Sequence, residues 1–527
     1  MTNPVKDILK SKVILVTGTN TTENHPIIAN YIYEAVTKYG AKLIVVDPRK
    51  IKLVDICHLW LRPKIGTDVA WINGLMHVII REALQAQPYI DERTTGFEEL
   101  KQCVEKYSPS YVSKITGISA QDIEAAARLY ASEHPASILY TMGITQHTSG
   151  TNNVKSLASL AMLCGNVGVE GGGVNPLRGQ NNVQGACDMG GLPNVFSGYQ
   201  PVTDEAVRQK FQKAWNIQSL SGKPGMTVTE MIPEAGNKIK ALYIMGENPL
   251  LSDADLTHVE HLFTKLDFMV VQDIFFTETA KYADVVLPSA CFAEKEGTFT
   301  NTERKVLRVR KALEAPGEAM EDYRIIAEVA KRMGFPMNYK TPSEIMDEIN
   351  SVTPSYAGIQ YDRLDKEGSL TWPCPTKDHP GTPILHISQF SRGKGLFSPI
   401  EYQPSAEVTD PEYPFILTTG RVHAHYHTGT MTRKGNALNR ICSEAIAELN
   451  ENDAAALQIT DGSYVNITSR RGRVKMKVSV ADTVDKGVIF LPFHFAEAAA
   501  NKLTNTALDP ISKIPEFKVC AVHVERA

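Results

Sequence analysis

No two cysteines stand close enough to build a CxxC unit. The eight, Cys57, Cys103, Cys164, Cys187, Cys291, Cys374, Cys442 and Cys520, are never nearer than 23 residues apart. A zinc ribbon or a locally built iron–sulfur run is therefore excluded, and reduced, mostly buried thiols are expected. Neither sign of charge dominates. The 55 Lys and Arg against 59 Asp and Glu leave a net charge of −4, so no global field draws in nucleic acid or an anionic membrane. No run nears the ~20 apolar residues of a membrane span. Met1 to Lys12 has no signal-peptide core, which makes the cytoplasm the expected location. GxSxG, HExxH and Walker A motifs are also missing. What remains is ordinary globular composition, 43% hydrophobic and 22% charged over 527 residues, enough for three or four domains at roughly 150 residues each.

The chain opens on a strand. Val13 to Thr17 is a short apolar run of the kind that both-face burial in a parallel sheet produces. Gly18-Thr19-Asn20 breaks it. A helical pattern follows from Pro26 to Lys38, with Pro26 in the first turn, and then a second strand from Leu43 to Val46, ending in Asp47. This is one half of a dinucleotide-binding fold, 29 residues from Gly18 to Asp47. GTNTTENHP is not GxGxxG, so an NAD site is not supported. The loop nonetheless sets small and polar residues at a helix N-terminus, where backbone N–H groups can face a phosphate.

The unit recurs. Leu242 to Met245 reads as a strand and Gly246-Glu247-Asn248-Pro249 breaks it. A helix follows around Asp255 to Lys265, then a strand from Phe268 to Gln272 ending in Asp273, 27 residues after Gly246. Two like half-folds suggest two like ligands, or one long ligand with a nucleotide at each end. Between the units lies more α/β: a capped helix from Ser119 to Ser132, a strand from Ser137 to Met142, a loop from Gly143 and a helix from Val154 to Cys164.

Gly171 to Pro193 carries seven glycines, three asparagines and two glutamines, and Arg178 is its only cation. A loop so polar and so nearly uncharged suits close backbone approach to a large ligand. Arg178 in it suits a bidentate grip on a small anion. From Pro316 to Val408 the chain reads as linker and insertion, with one strong helix from Met320 to Arg332. The last part, Tyr413 to Ala527, reads as a compact β-barrel with strands at Phe415 to Thr419, Ser463 to Ser469, Arg473 to Val480 and Val488 to Pro492. His423, His425 and His427 alternate, but in a loop with no cysteine near, and no metal ligand is assigned. Cys57-His58 is read as structural.

At this point the motifs VNPLRGQNNVQGACDMG, VTGTNTTENHP, VVDPRK, KIGTDVAWING, IMGENPL, VVQDIFFTETAKYADVVLPS and YHTGTMTR resemble, over essentially the whole chain, the catalytic subunits of molybdenum- or tungsten-dependent formate dehydrogenases. These belong to the oxidoreductases that carry two molybdopterin guanine dinucleotides per metal. The resemblance implies an α/β fold of two pseudo-symmetric dinucleotide-binding-like units plus a C-terminal β-barrel of double-psi type. The implied divisions are 1–180, 181–315, a helical linker 316–411 and the barrel 412–527. It implies that Gly18, Asn20, Asp47, Arg49, Gly66 and Asp68 hold one dinucleotide. Gly246, Glu247, Asn248, Asp273 and Thr277 hold the other, and the barrel closes over both with Arg421, His425, Tyr426, Asn501 and Lys518. Arg178 matches the arginine that orients formate and Gln180 its neighbour near the metal. The implied reaction interconverts formate and CO₂. Its partners are electron-transfer subunits of iron–sulfur, NAD(P)- or hydrogenase type, with no nucleic acid and no membrane span. Another molybdopterin oxidoreductase, or a non-catalytic cofactor-binding scaffold, are the alternatives.

The chain departs from that pattern at its start. The family begins with a small domain whose four cysteines hold a [4Fe–4S] cluster, then a cysteine or selenocysteine that ligates the metal, then a histidine. Met1 aligns with the strand that follows. A start codon called downstream of a selenocysteine UGA is the favoured origin, ahead of an enzyme split over two polypeptides and of a degenerate homologue.

Overall fold

The computed structural model describes all of residues 1–527, and the chain forms two compact units. The first comprises Met1–Leu177, Leu251–His258 and Ile384–Ala527; the second comprises Arg178–Leu250 and Val259–Pro383. This division differs from a cut at 180, 315 and 411. The segment expected as linker does not stand apart, because its residues pair and pack within the units on either side.

The first unit is built on a parallel sheet. Its strands are β1 (Val13–Thr17), β2 (Lys42–Val46), β3 (Leu59–Leu61), β4 (Ala136–Tyr140) and β5 (Val174–Pro176), with helix α1 (Pro26–Tyr39) between the first two. Their order is β3-β2-β1-β4-β5, all parallel. Every residue of β1 and β4 is buried. Alternation sends them to two cores: Val13, Leu15, Ile138 and Tyr140 face a cluster with Trp71, Leu75 and Leu160. Ile14, Val16 and Leu139 face another with Ile28, Ile32 and Ala35 of α1. This is the both-face covering that a continuous apolar strand implies. Ser119 caps its helix as expected, accepting from the Asp122 amide at 3.0 Å. Tyr140 ends β4 two residues short of expectation, because Met142–Thr145 turns into a short helix.

The second unit holds α2 (Val183–Asp188) and a three-stranded parallel sheet. Its strands are β6 (Ala241–Met245), β7 (Phe268–Asp273) and β8 (Val285–Pro288), in the order β8-β7-β6. One face packs Ile244, Met269 and Val271 against Val259, Leu262 and Phe263. The other face leaves Tyr243, Met245 and Phe268 43–48% exposed. A second, antiparallel sheet joins β9 (Gly297–Thr300), β10 (Lys305–Val309) and β11 (Ser369–Thr371). Strand β11 lies inside the segment read as linker, which is why that segment has no independent existence. Helix α3 (Asp322–Arg332) starts two residues after the expected point.

The C-terminal part of the first unit is a closed six-stranded barrel of Phe415–Gly420, Val488–Pro492, Ile446–Leu449, Arg473–Val480, Tyr464–Thr468 and Cys520–Arg526, in that order around the barrel. Four of its strands were legible as alternating or apolar runs. Ile446–Leu449 and Cys520–Arg526 complete the closure. No helix of the protein is long and apolar enough to cross a membrane.

Candidate functional site

Strand order reverses between β1 and β4, and such a switch point opens a crevice at the carboxyl ends of the strands. Gly18 follows β1 there with φ +55°, and a Cβ on it would lie 2.7 Å from the Gly143 carbonyl carbon. The Gly143 amide donates to the Gly18 carbonyl at 3.0 Å. Two glycines thus let two strand ends touch.

The crevice continues as an open groove that gathers sequence-expected residues from both ends of the chain. Gly18, Asn20, Asp47, Arg49, Gly66 and Asp68 line it, as do Arg421 and Lys518 from the barrel. Asp47 accepts from the Arg49 amide at 2.9 Å. Arg49 donates to Glu448 at 2.7 Å and stacks 3.5 Å from the centre of the Phe490 ring. Lys518 donates to the Thr419 carbonyl at 2.6 Å. Burial dominates the electrostatics. It pushes the Asp47 and Asp68 carboxyls up to about 6. It also brings the Lys518 ammonium down to about 7, helped by Arg421 and opposed by Asp47.

Several buried polar atoms of this lining have no hydrogen-bond partner within the protein: Arg421 Nε and Nη2, Arg49 Nε, Thr19 Oγ1, Asn24 Oδ1 and His147 Nδ1. Such atoms cost about 1–3 kcal/mol each when left unsatisfied, and natively they are rare. A donor-rich wall with two acids beside it suits an elongated anion whose other end offers hydrogen-bond donors.

Three barrel residues, His425, Tyr426 and Asn501, do not line this groove. His425 is buried, with Nε2 2.6 Å from the Cys442 carbonyl and Nδ1 3.3 Å from Thr432 Oγ1, so both nitrogens are engaged within the connection that follows Phe415–Gly420. Tyr426 does not line the groove; its ring centre is 5.9 Å from the Arg421 guanidinium. Asn501 is buried and donates to the Leu251 and Ser252 carbonyls at 2.9 and 3.1 Å. Sequence reading missed Met142, Gly143, His147, Phe490 and Phe493, which also line the groove. The strand-then-glycine step into Gly143 was the only available signal.

The second unit repeats the local chemistry of the first. Gly246 has φ +63°, and its amide donates to the Gln272 carbonyl at 2.9 Å, as that of Gly18 does to Val46 at 3.3 Å. Asp273 accepts from the Phe275 amide at 3.0 Å, as Asp47 does from Arg49. Burial raises the Asp273 carboxyl too. Asn248 is buried, donates to Glu278 at 2.8 Å and accepts from Thr279 Oγ1 at 2.7 Å. Thr277 Oγ1 accepts from the Ala280 amide at 3.1 Å, and Glu247 is exposed. In the same unit Arg178 is exposed within the glycine-rich segment. Its amide donates to Thr302 Oγ1 at 3.0 Å and its Nε to Gln184 Oε1 at 3.3 Å. Gln180 is half-buried two residues on.

A parallel dinucleotide-type half-fold made twice, with a closed barrel, defines the class. The model of the molybdopterin oxidoreductase family matches residues 1–332, and that of the molydopterin dinucleotide binding domain matches residues 415–521. The chain belongs to the molybdopterin oxidoreductase family. It is 52% identical to the F420-dependent formate dehydrogenase subunit alpha of Methanocaldococcus jannaschii, over 100% of this chain and 78% of that protein. It is 42% identical to formate dehydrogenase H of Escherichia coli, over 100% of this chain and 74% of that one. Acetylene hydratase from Pelobacter acetylenicus shares the fold at a TM-score of 0.78 and 21% identity, over 99% of this chain and 81% of that chain.

Proposed function

We propose that the chain is a formate dehydrogenase catalytic subunit, carrying out HCOO⁻ ⇌ CO₂ + H⁺ + 2e⁻ at a molybdenum or tungsten centre held by two molybdopterin guanine dinucleotides. The observation that carries this reading is similarity along the whole of this chain to a formate dehydrogenase alpha subunit and to formate dehydrogenase H, joined to a lone arginine set in the RGQNNVQGACDMG run. When bound, that cofactor would supply the redox chemistry.

The protein's own groups bind and orient. Gly18, Asn20, Asp47, Arg49, Gly66 and Asp68, with Arg421 and Lys518, hold one dinucleotide. The buried, unpartnered donors of Arg421 and Arg49 support this, since phosphate oxygens satisfy them. Gly246, Glu247, Asn248, Asp273 and Thr277 hold the other, supported by the shared turn geometry. His425, Tyr426 and Asn501 contribute to cofactor binding from the barrel side, Tyr426 through its ring 5.9 Å from the Arg421 guanidinium. Arg178 receives the formate carboxylate on its planar fork, with Gln180 beside it. A separate electron-transfer subunit of iron–sulfur, NAD(P)-, F420- or hydrogenase type would accept the electrons, and a [4Fe–4S] relay would have to be held outside these 527 residues, whose cysteines are too far apart in sequence to form a local cluster run.

Arg178→Lys in the assembled holoenzyme tests the reading. It keeps the charge but loses the fork. We expect kcat/KM for formate to fall by about 10²-fold, the scale of one lost preorganised contact, with metal and pterin content unchanged. Normal turnover by that variant refutes the assignment.

A further inference from the structure

Asp188 has no part in the roles above, yet it is fully buried. It ends α2, and three donors converge on its carboxylate. Gln184 Nε2 and the Tyr199 hydroxyl reach one oxygen at 2.8 and 2.9 Å, and the Tyr356 hydroxyl reaches the other at 2.6 Å. Tyr356 also lies 3.1 Å from Thr300 Oγ1. Burial, reinforced by Asp188, raises both phenol groups above their ordinary range, so both remain protonated donors. An ionisable group taken this far from water is costly to keep.

The chain of contacts leads outward. Gln184 is itself buried, and its amide has two ends. The Nε2 end donates to Asp188 and, at 3.0 Å, to the Tyr199 hydroxyl; the Oε1 end accepts from Arg178. A carboxylate accepts and never donates. The Gln184 amide therefore has one allowed orientation, with its N–H groups inward and its carbonyl toward the arginine. Reversed, it would set donor against donor at Arg178 and leave a carboxylate oxygen short of a partner. The arginine's aim is thereby tied to a carboxylate one helical turn beyond Gln184.

We propose that Asp188 is a positioning residue for formate: acting through Gln184, it fixes the direction in which Arg178 presents its guanidinium to the substrate carboxylate. The inference rests on the reading that Arg178 receives formate. A planar fork binds a carboxylate well only along one line, and holding that line before the substrate arrives removes an ordering cost from binding.

The test compares Asp188→Asn, Gln184→Leu and Arg178→Lys in the holoenzyme. Asparagine keeps the shape of Asp188 but no longer dictates the amide's orientation; leucine removes the carbonyl that faces Arg178. Both are expected to raise KM for formate by about tenfold, the size of one weakened hydrogen bond to a charged group, with kcat within about threefold and metal and pterin content unchanged. Arg178 labelling by phenylglyoxal, mapped by mass spectrometry, reads the same effect without turnover. Formate at concentrations that protect Arg178 in the wild type should fail to protect it in both variants. Loss of kcat in proportion to cofactor content, with KM and protection unchanged, means a purely structural network and overturns the proposal. If Asp188→Asn does not fold, Gln184→Leu alone decides. Impairment in Arg178→Lys with neither of the other variants affected overturns this proposal only. An unimpaired Arg178→Lys overturns the reading beneath it.

Discussion

Strands Val13–Thr17 and Ala241–Met245 enter the same turn and end beside the same kind of acid, but their surroundings differ. All five residues of the first are buried, whereas three of the five in the second are exposed. At Gly18 a Cβ would strike backbone at 2.7 Å, while at Gly246 nothing stands within 4 Å. Turn geometry is thus a local property, set by a left-handed glycine and an aspartate that accepts from the amide two residues on. Burial is a property of whatever covers the sheet.

Matched substitutions should break that equivalence most sharply. Gly18→Ala meets both left-handed strain, about 1–2 kcal/mol, and a forced backbone contact of about 1–3 kcal/mol. Gly246→Ala meets the strain alone, about 1–2 kcal/mol. Hydrogen-exchange protection in the two neighbouring strands measures each loss, and equal losses would show that the crowding at Gly18 is not real.

A smaller effect separates the two halves by pH. Lys518 lies near 7 in the first groove. A bound phosphate favours its charged form, so binding takes up a proton above that pH, and affinity falls as pH rises through 7. We expect GDP-mannose, whose phosphates do not titrate there, to lose up to about tenfold in affinity per pH unit, the limit for one coupled proton. Calorimetry at pH 7 and above reads it. Lys518→Met should flatten the profile, and a wild-type profile already flat rules out Lys518 as the coupled group.

The smallest effect concerns the uncovered sheet face. Met245 and Phe268 contribute little to their own unit because each is nearly half exposed. Replacing both by serine should cost less than about 1 kcal/mol of local protection and reduce self-association in sedimentation, because an exposed apolar patch is an association surface. Unchanged sedimentation would mean that this face does not drive association.

Much of the frame was readable in advance. VILVT gave a both-face strand because such a run leaves no polar side to turn toward water, and Leu43 to Val46 was legible as its neighbour. ALYIM reads the same way, and one of its faces is open, because a run of apolar residues does not record what lies against it. Arg178 stood out as the single cation of a glycine-rich stretch. Asp188, ten residues later, carried no signal, since an aspartate in a polar loop is ordinarily solvated.

By itself, then, the sequence determined the repeated strand–turn–helix–strand–acid unit, the arginine in its glycine setting and the β-rich character of the C-terminal part. These rest on interactions between residues near in the chain: backbone sterics at glycine, side-chain alternation and helix periodicity. Tertiary structure decided what chain-distant contacts decide. It brought Phe490 and Lys518 to Asp47 and Arg49, and left Arg421 buried with unpartnered nitrogens. It turned His425 and Asn501 inward to carbonyls. It also closed two tyrosines and a glutamine around Asp188, because burial and hydrogen-bond satisfaction depend on every neighbour in space.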